Sequence, residues 1–209
     1  MEFNQHCQEC PRLVEFLKKT KESNPSYLCQ PVPSFGSQKP KLLIVGLAPG
    51  MHGANKTGRP FTGDFAGVLL YETIFKFGFS SSPISESRDD NLNLLNIRIT
   101  NAVKCLPPEN KPSLNEIKQC NNYLTNEINN IKGKIKILAL GKIAHDGVLM
   151  ALGQKKSFYK FSHGAIHQLS KHKILYDSYH CSRYNTQTKR LTSSMFDDIF
   201  LKIKQDMEN

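Results

Sequence analysis

The sequence contains no apolar run long enough to cross a lipid bilayer. Its strongest apolar stretch, residues 42–48, is interrupted at once by Pro49 and Gly50, whereas a membrane-spanning helix needs about 20 apolar residues. The first twenty residues carry three glutamates and a histidine in place of the apolar segment of a secretory signal. We therefore expect a cytoplasmic protein without membrane contact.

Acidic residues are scarce relative to basic ones. The 209 residues include 28 Lys and Arg but only 18 Asp and Glu, so the formal charge is +10. Such an excess of cations attracts polyanions such as nucleic acid, although a merely soluble basic protein accounts for the charge equally well. The length and the 39% hydrophobic content predict a single domain over residues 1–209, and we expect a monomer.

Short β-rich runs alternate with helical patterns along the chain. The runs cover residues 41–47, 98–103, 136–140 and 173–179, and the apolar periodicity predicts helices over 11–22, 65–77, 113–131, 143–152 and 193–207. This alternation predicts an α/β fold with a mostly parallel, four-stranded sheet. Ligands of such sheets bind beyond the carboxyl ends of the strands, where Asp64, Asn101, Gly141 and His180 fall.

The cysteines predict a metal site. Cys7 and Cys10 form a C-x-x-C pair, and Cys105 and Cys120 lie fifteen positions apart. Four thiolates suit zinc or an iron-sulfur cluster, while a redox pair or chance spacing are the alternatives for a lone C-x-x-C. The two remaining cysteines, Cys29 and Cys181, are expected to be buried and free.

Three stretches together resemble a known family. Residues 46–64 (GLAPGMHGANKTGRPFTGD), residues 100–105 (TNAVKC), and residues 180–192, which begin with HCS and end with NTQTKRLT, are similar to the three motifs of the family 5 uracil-DNA glycosylases. The resemblance implies a three-layer αβα sandwich and, in base excision repair, removal of uracil from DNA. It also implies a broader range that includes hypoxanthine, xanthine and ethenocytosine.

The resemblance further implies a 4Fe-4S cluster, which it favours over zinc. Its ligands map to the four cysteines identified above: Cys7, Cys10, Cys105 and Cys120. Leu47 stands where family 4 enzymes carry Glu, which favours family 5. Two positions depart from the pattern, because Gly50 replaces the usual Ala and Cys181 replaces a Pro that would fix the backbone aiming His180.

The residue types in the motifs suit base excision. A base inside a duplex must be flipped out into a pocket, where Phe61 offers a stacking face and the Asn101 amide both donates and accepts a hydrogen bond. Ala48 and Pro49 are expected to line the same pocket. The alternative for Phe61 is ordinary core packing.

Bond hydrolysis develops positive charge on the sugar and negative charge on the leaving base. His180 is predicted to donate a hydrogen bond to the leaving base, and Asp64 to orient water or stabilise the sugar cation. The alternatives are a satisfied surface histidine and an N-cap for the helix that begins at Phe65. Hydroxyl, amide and cationic side chains of the third motif are predicted to contact DNA: Ser182, Asn185, Lys189 and Arg190.

Two other functions compete with this interpretation. A non-catalytic iron-sulfur protein that binds DNA or senses redox state would keep the same fold, and Cys181 is the best support for it. A nucleotide-binding enzyme is disfavoured, because the glycine-rich turn after the first strand lacks both a P-loop ending and a G-x-G-x-x-G pattern.

Overall fold

A computed structural model describes residues 3–208 and contains one six-stranded sheet. In chain order the strands are β1 (Phe35–Gly36), β2 (Leu42–Gly46), β3 (Ile97–Asn101), β4 (Ile135–Leu140), β5 (Ile166–Ser170) and β6 (Lys173–Ser178). Their spatial order is β1-β3-β2-β4-β6-β5. The four central strands are parallel, and the two edge strands run antiparallel to their neighbours.

Seven α-helices accompany the sheet among the described residues. They are α1 (Pro11–Ser23), α2 (Ala54–Thr57), α3 (Phe65–Lys76), α4 (Leu114–Asn130), α5 (Lys142–Ala151), α6 (Arg183–Gln187) and α7 (Ser193–Glu208). Single 3-10 turns occur at Pro108–Asn110 and Lys156–Phe158. A capping box of Ser113 and Glu116 starts α4, in which each side chain accepts a hydrogen bond from the backbone N–H of the other residue.

Helices cover both faces of the sheet, because alternate strand residues point to opposite sides. On one face, α3 and α7 pack on Leu42, Ile44 and their neighbours. On the other face, α4 and α5 pack on Leu43, Val45 and the alternate residues of β4. The predicted three-layer α/β architecture is therefore confirmed.

The sheet has two more strands than the four predicted, and both lie at its edges. Two-residue β1 is too short to show a period, and β5 is mostly exposed with His167 and Gln168 in its centre. Edge strands need less apolar sequence because only part of their surface is buried. Within residues 3–208, no helix has both the length and the apolar character needed to span a membrane.

Helix α1 lies outside the three layers and brings the cysteines together. Its buried Leu13 and Leu17 pack against Ile117 and Tyr123. Cys10 immediately precedes its first turn, which starts with Pro11, a residue preorganised for that position. The helix is thereby fixed beside α4, which carries Cys120.

Candidate active site

A pocket of about 270 Å³ lies at the carboxyl ends of β2 and β3, beside the loop that follows β6. Six of the residues predicted from sequence line it: Ala48, Phe61, Asp64, Asn101, His180 and Ser182. They come from four separate segments of the chain, and the parallel strands bring those segments to one edge of the sheet. The structure therefore assembles most of the predicted site.

Asn101 presents an unused hydrogen-bond acceptor at this pocket. The residue is 4% exposed, and its Oδ1 atom is buried without a hydrogen-bond partner. A Cβ on Gly46 would lie 2.4 Å from that oxygen and 2.6 Å from the Phe61 ring. Glycine at position 46 therefore lets Asn101 and Phe61 approach each other.

Asp64 combines two roles. Its Oδ1 accepts a hydrogen bond of 3.0 Å from the Gly67 backbone N–H and so caps α3. Its Oδ2 faces the glycine turn, where a Cβ on Gly53 would lie only 2.3 Å away and one on Gly50 3.1 Å away. Burial raises the pKa of Asp64, although the backbone N–H groups of Gly67 and Ala66 oppose that rise.

His180 lies across the pocket beside Phe61. The two rings stack with centroids 5.9 Å apart and planes inclined by 28°. Burial lowers the pKa of His180 to about 4, so the ring is neutral at physiological pH and retains one N–H donor. A neutral imidazole can stabilise a negatively charged leaving group by donating a hydrogen bond, without transferring its proton.

The remaining predicted residues surround the pocket. Pro49 is buried and is not among the residues that line the cavity, which differs from the expectation for it. Asn185 donates from Nδ2 to the His180 carbonyl at 2.8 Å, so its side chain also positions His180. Lys189 is exposed, and Arg190 lies over the Tyr179 ring at 4.5 Å.

The four predicted metal ligands line one cavity. Cys7 and Cys10 are partly buried, whereas Cys105 and Cys120 are buried, and none of the four is in a disulfide. Burial and repulsion from Cys120 raise the pKa of Cys10 to about 11, so thiolates there need a cation as counter-charge. The donor chemistry fits a soft metal centre.

Comparison with known proteins identifies the fold family. The family model "Uracil DNA glycosylase superfamily" matches residues 33–204. The chain belongs to this superfamily. A Thermus thermophilus relative named "Type-5 uracil-DNA glycosylase" is 41% identical over 204 residues, covering 95% of this chain and 93% of the relative.

Matches to type-5 members of the superfamily extend further than matches to type-4 members. The type-5 protein of Pyrobaculum aerophilum is 36% identical over 96% of this chain and 89% of its own length. The "Type-4 uracil-DNA glycosylase" of the same organism is 32% identical over 74% of this chain and 65% of its own length. The resemblance to family 5 inferred from the motifs is confirmed.

The structure accommodates the departure from the family pattern at Cys181. The thiol is completely buried, and burial, with a contribution from Asp64, raises its pKa. Cys181 is therefore a neutral, apolar neighbour of the pocket. The hydrogen bond from Asn185 holds the His180 backbone, so the aim of His180 does not rest on residue 181 alone.

Sequence reasoning missed two features of this superfamily member. Asn110, in a left-handed conformation with φ of 57°, lines the pocket from the loop between Cys105 and Cys120. The dipeptide Asn-Lys after a Pro-rich turn was the available signal, since Asn tolerates that conformation. The second feature is buried Asp177, which lies 2.8 Å from His145 Nδ1 and 3.0 Å from His167 Nε2.

The Asp177 cluster has the donor types of a metal site, but its atoms already bind one another. The second nitrogen of His145 lies 2.9 Å from the Tyr159 carbonyl oxygen. These contacts link α5, β5 and β6. Asp177 lies three residues before His180 in the chain. We interpret the cluster as a buried network that fixes the end of β6.

Proposed function

We propose that the protein hydrolyses the N-glycosidic bond of uracil in DNA after flipping the nucleotide, and leaves an abasic site. The unpartnered Oδ1 of Asn101 carries this proposal. A buried acceptor without a partner is unfavourable by about 1–3 kcal/mol, and the ring N–H of uracil would satisfy it. The side-chain amide of Asn101 would donate to a uracil carbonyl.

The other pocket residues serve the two charges that develop on hydrolysis. Neutral His180 donates a hydrogen bond to the leaving base and stabilises its negative charge. The Asp64 carboxylate orients the water and stabilises the sugar cation, while its bond to Gly67 fixes its position. Phe61 supports the base by stacking.

DNA is held around the mouth of the pocket in this proposal. Lys189 and Arg190 are exposed beside α6 and contact phosphates. Tyr184, 70% exposed two residues after Ser182, fills the gap that the flipped nucleotide leaves. The broader base range also belongs to the proposal, since the pocket side chains of Leu47, Ala48 and Ala54 offer no hydrogen-bonding group that would reject another deaminated base.

The proposal includes a 4Fe-4S cluster held by Cys7, Cys10, Cys105 and Cys120. Such a cluster supplies four iron-thiolate bonds that cross-link the start of α1 to α4 and to the segment after β3. No step of the hydrolysis passes through it. The role proposed for it is to hold these segments together.

A strand-cleavage assay tests the function. Duplexes carry one uracil, hypoxanthine or thymine opposite guanine, and alkali afterwards cuts any abasic site. We expect cleavage at uracil, none at thymine, and single-turnover rates lowered about 100-fold or more in Asp64→Asn and His180→Ala. Asp89→Asn and His172→Ala, exposed residues outside the pocket, serve as matched controls. Unchanged rates in both pocket variants would refute the assigned roles.

A further inference from the structure

A cleft lined by lysines lies at the amino ends of the parallel strands, whereas the pocket lies at their carboxyl ends. Strands β2, β4 and β6 begin at the cleft, and the pairs Leu42–Lys136 and Ile135–Lys173 fix their register. The cleft has a volume of about 740 Å³. Five lysines line it: Lys39, Lys41, Lys132, Lys134 and Lys136.

These lysines form a concentrated positive charge. The carboxylates lining the same cleft are Asp206 and Glu208, and Asp206 also accepts a hydrogen bond from Tyr176. Within the described part of the chain, no ion pair involves any of the five lysine ammonium groups. Lys171 and Lys173 extend the charge along the hairpin of β5 and β6.

The lysine cleft faces away from the pocket, because the two lie at opposite ends of the parallel strands. The central strands have five or six residues, so their amino and carboxyl ends lie about 17–20 Å apart. The two ends of the strands face in opposite directions. Uncompensated lysines on a concave surface attract the regularly spaced phosphates of a nucleic acid. We infer that the lysine cleft is a second DNA-binding surface, which holds another duplex segment while the pocket engages the first.

The test measures binding of a second duplex to the full protein already saturated with a short duplex that carries an abasic site. The probe is a labelled, uracil-free duplex. Its binding is measured by sedimentation velocity at several salt concentrations. The cleft variant is Lys41→Ala/Lys134→Ala/Lys136→Ala. The control variant removes the same charge from exposed lysines elsewhere: Lys18→Ala/Lys155→Ala/Lys160→Ala.

We expect the wild-type and control proteins to bind the second duplex, and the cleft variant to bind it at least about tenfold more weakly, with a shallower salt dependence. All three proteins should excise uracil equally in single turnover. A wild-type protein that binds only one duplex, or a cleft variant with undiminished affinity, overturns the inference. Absence of excision would contradict the proposed function alone, because the second-duplex measurement needs no catalysis.

Discussion

The Asn101 side chain lowers the stability of the folded protein but provides a hydrogen-bond acceptor for the proposed ligand. Its buried, unpaired Oδ1 destabilises the folded protein by about 1–3 kcal/mol, and in the proposed function the ring N–H of the base supplies the missing hydrogen bond. We therefore expect Asn101→Ala to lower single-turnover excision about 100-fold or more without lowering the unfolding temperature. Rate measurements paired with calorimetry check this, and a parallel loss of stability and activity would contradict it.

The pH dependence of excision should report on Asp64. Burial raises the pKa of this carboxyl above its ordinary value, and the reaction needs the ionised form, so rates should fall as the pH drops through that raised pKa. Protonation of His180, whose pKa is about 4, leaves its donor in place. Single-turnover rates across the acid range should lose this dependence in Asp64→Asn, and an unchanged acid limb would assign it to another group.

Substitutions at Cys181 and Asn185 should affect the excision rate to different extents. Cys181 packs as a buried, neutral thiol, so we expect Cys181→Pro to excise uracil at close to the wild-type rate. Asn185→Ala removes the bond to the His180 carbonyl, and small misplacement of a catalytic group lowers rates severely, so a loss of about tenfold is expected. The same duplex assay compares them, and the reverse order would refute the positioning role.

At the scale of elements, long patterns were predictable and short ones were not. The predicted helix 11–22 corresponds to Pro11–Ser23 and 193–207 to Ser193–Glu208, because several turns of apolar periodicity define each. Two-residue β1 is defined by its pairing with β3, and five-residue α6, capped by Ser182, is too short to show an apolar period. The Asn185 bond to His180 and the position of Asn110 were likewise hidden, since they depend on how the loops fold.

The loop between β3 and α4 connects the cavity lined by the four cysteines to the pocket. Arg12, two residues after Cys10, donates to the Glu116 carboxylate at 2.6 Å and to the Lys111 carbonyl at 3.1 Å. Lys111 follows Asn110, which lines the pocket. The arrangement gives a physical route from the N-terminal helix to the pocket wall.

We therefore expect loss of the proposed cluster to slow excision through this loop. We expect Cys105→Ser to lose bound iron, unfold at a lower temperature and excise slowly, and Arg12→Ala to keep its iron but excise several-fold more slowly. Lys19→Ala, which breaks an exposed ion pair with Glu15 on α1, is the matched control. Iron analysis and single-turnover rates check this, and full activity in an iron-free Cys105→Ser protein would refute the link.

For the whole molecule, the charge of +10 fitted a polyanionic partner and a merely soluble basic protein equally well, and it located no binding surface. Parallel strands place the pocket at their carboxyl ends, and the same topology places the lysine cleft at their amino ends. The motifs indicated which residues lie together at the pocket. Nothing in their spacing indicated the lysine cleft, because its lysines come from segments with no common motif.

Direct detection of free uracil tests the central claim most simply. The purified protein, with its iron content measured, is incubated with a uracil-containing duplex, and the released base is quantified by chromatography. We expect free uracil in amounts equal to the abasic sites formed, with the strand intact until alkali is added. DNA binding by an iron-containing protein that releases no uracil would contradict it and support the non-catalytic alternative.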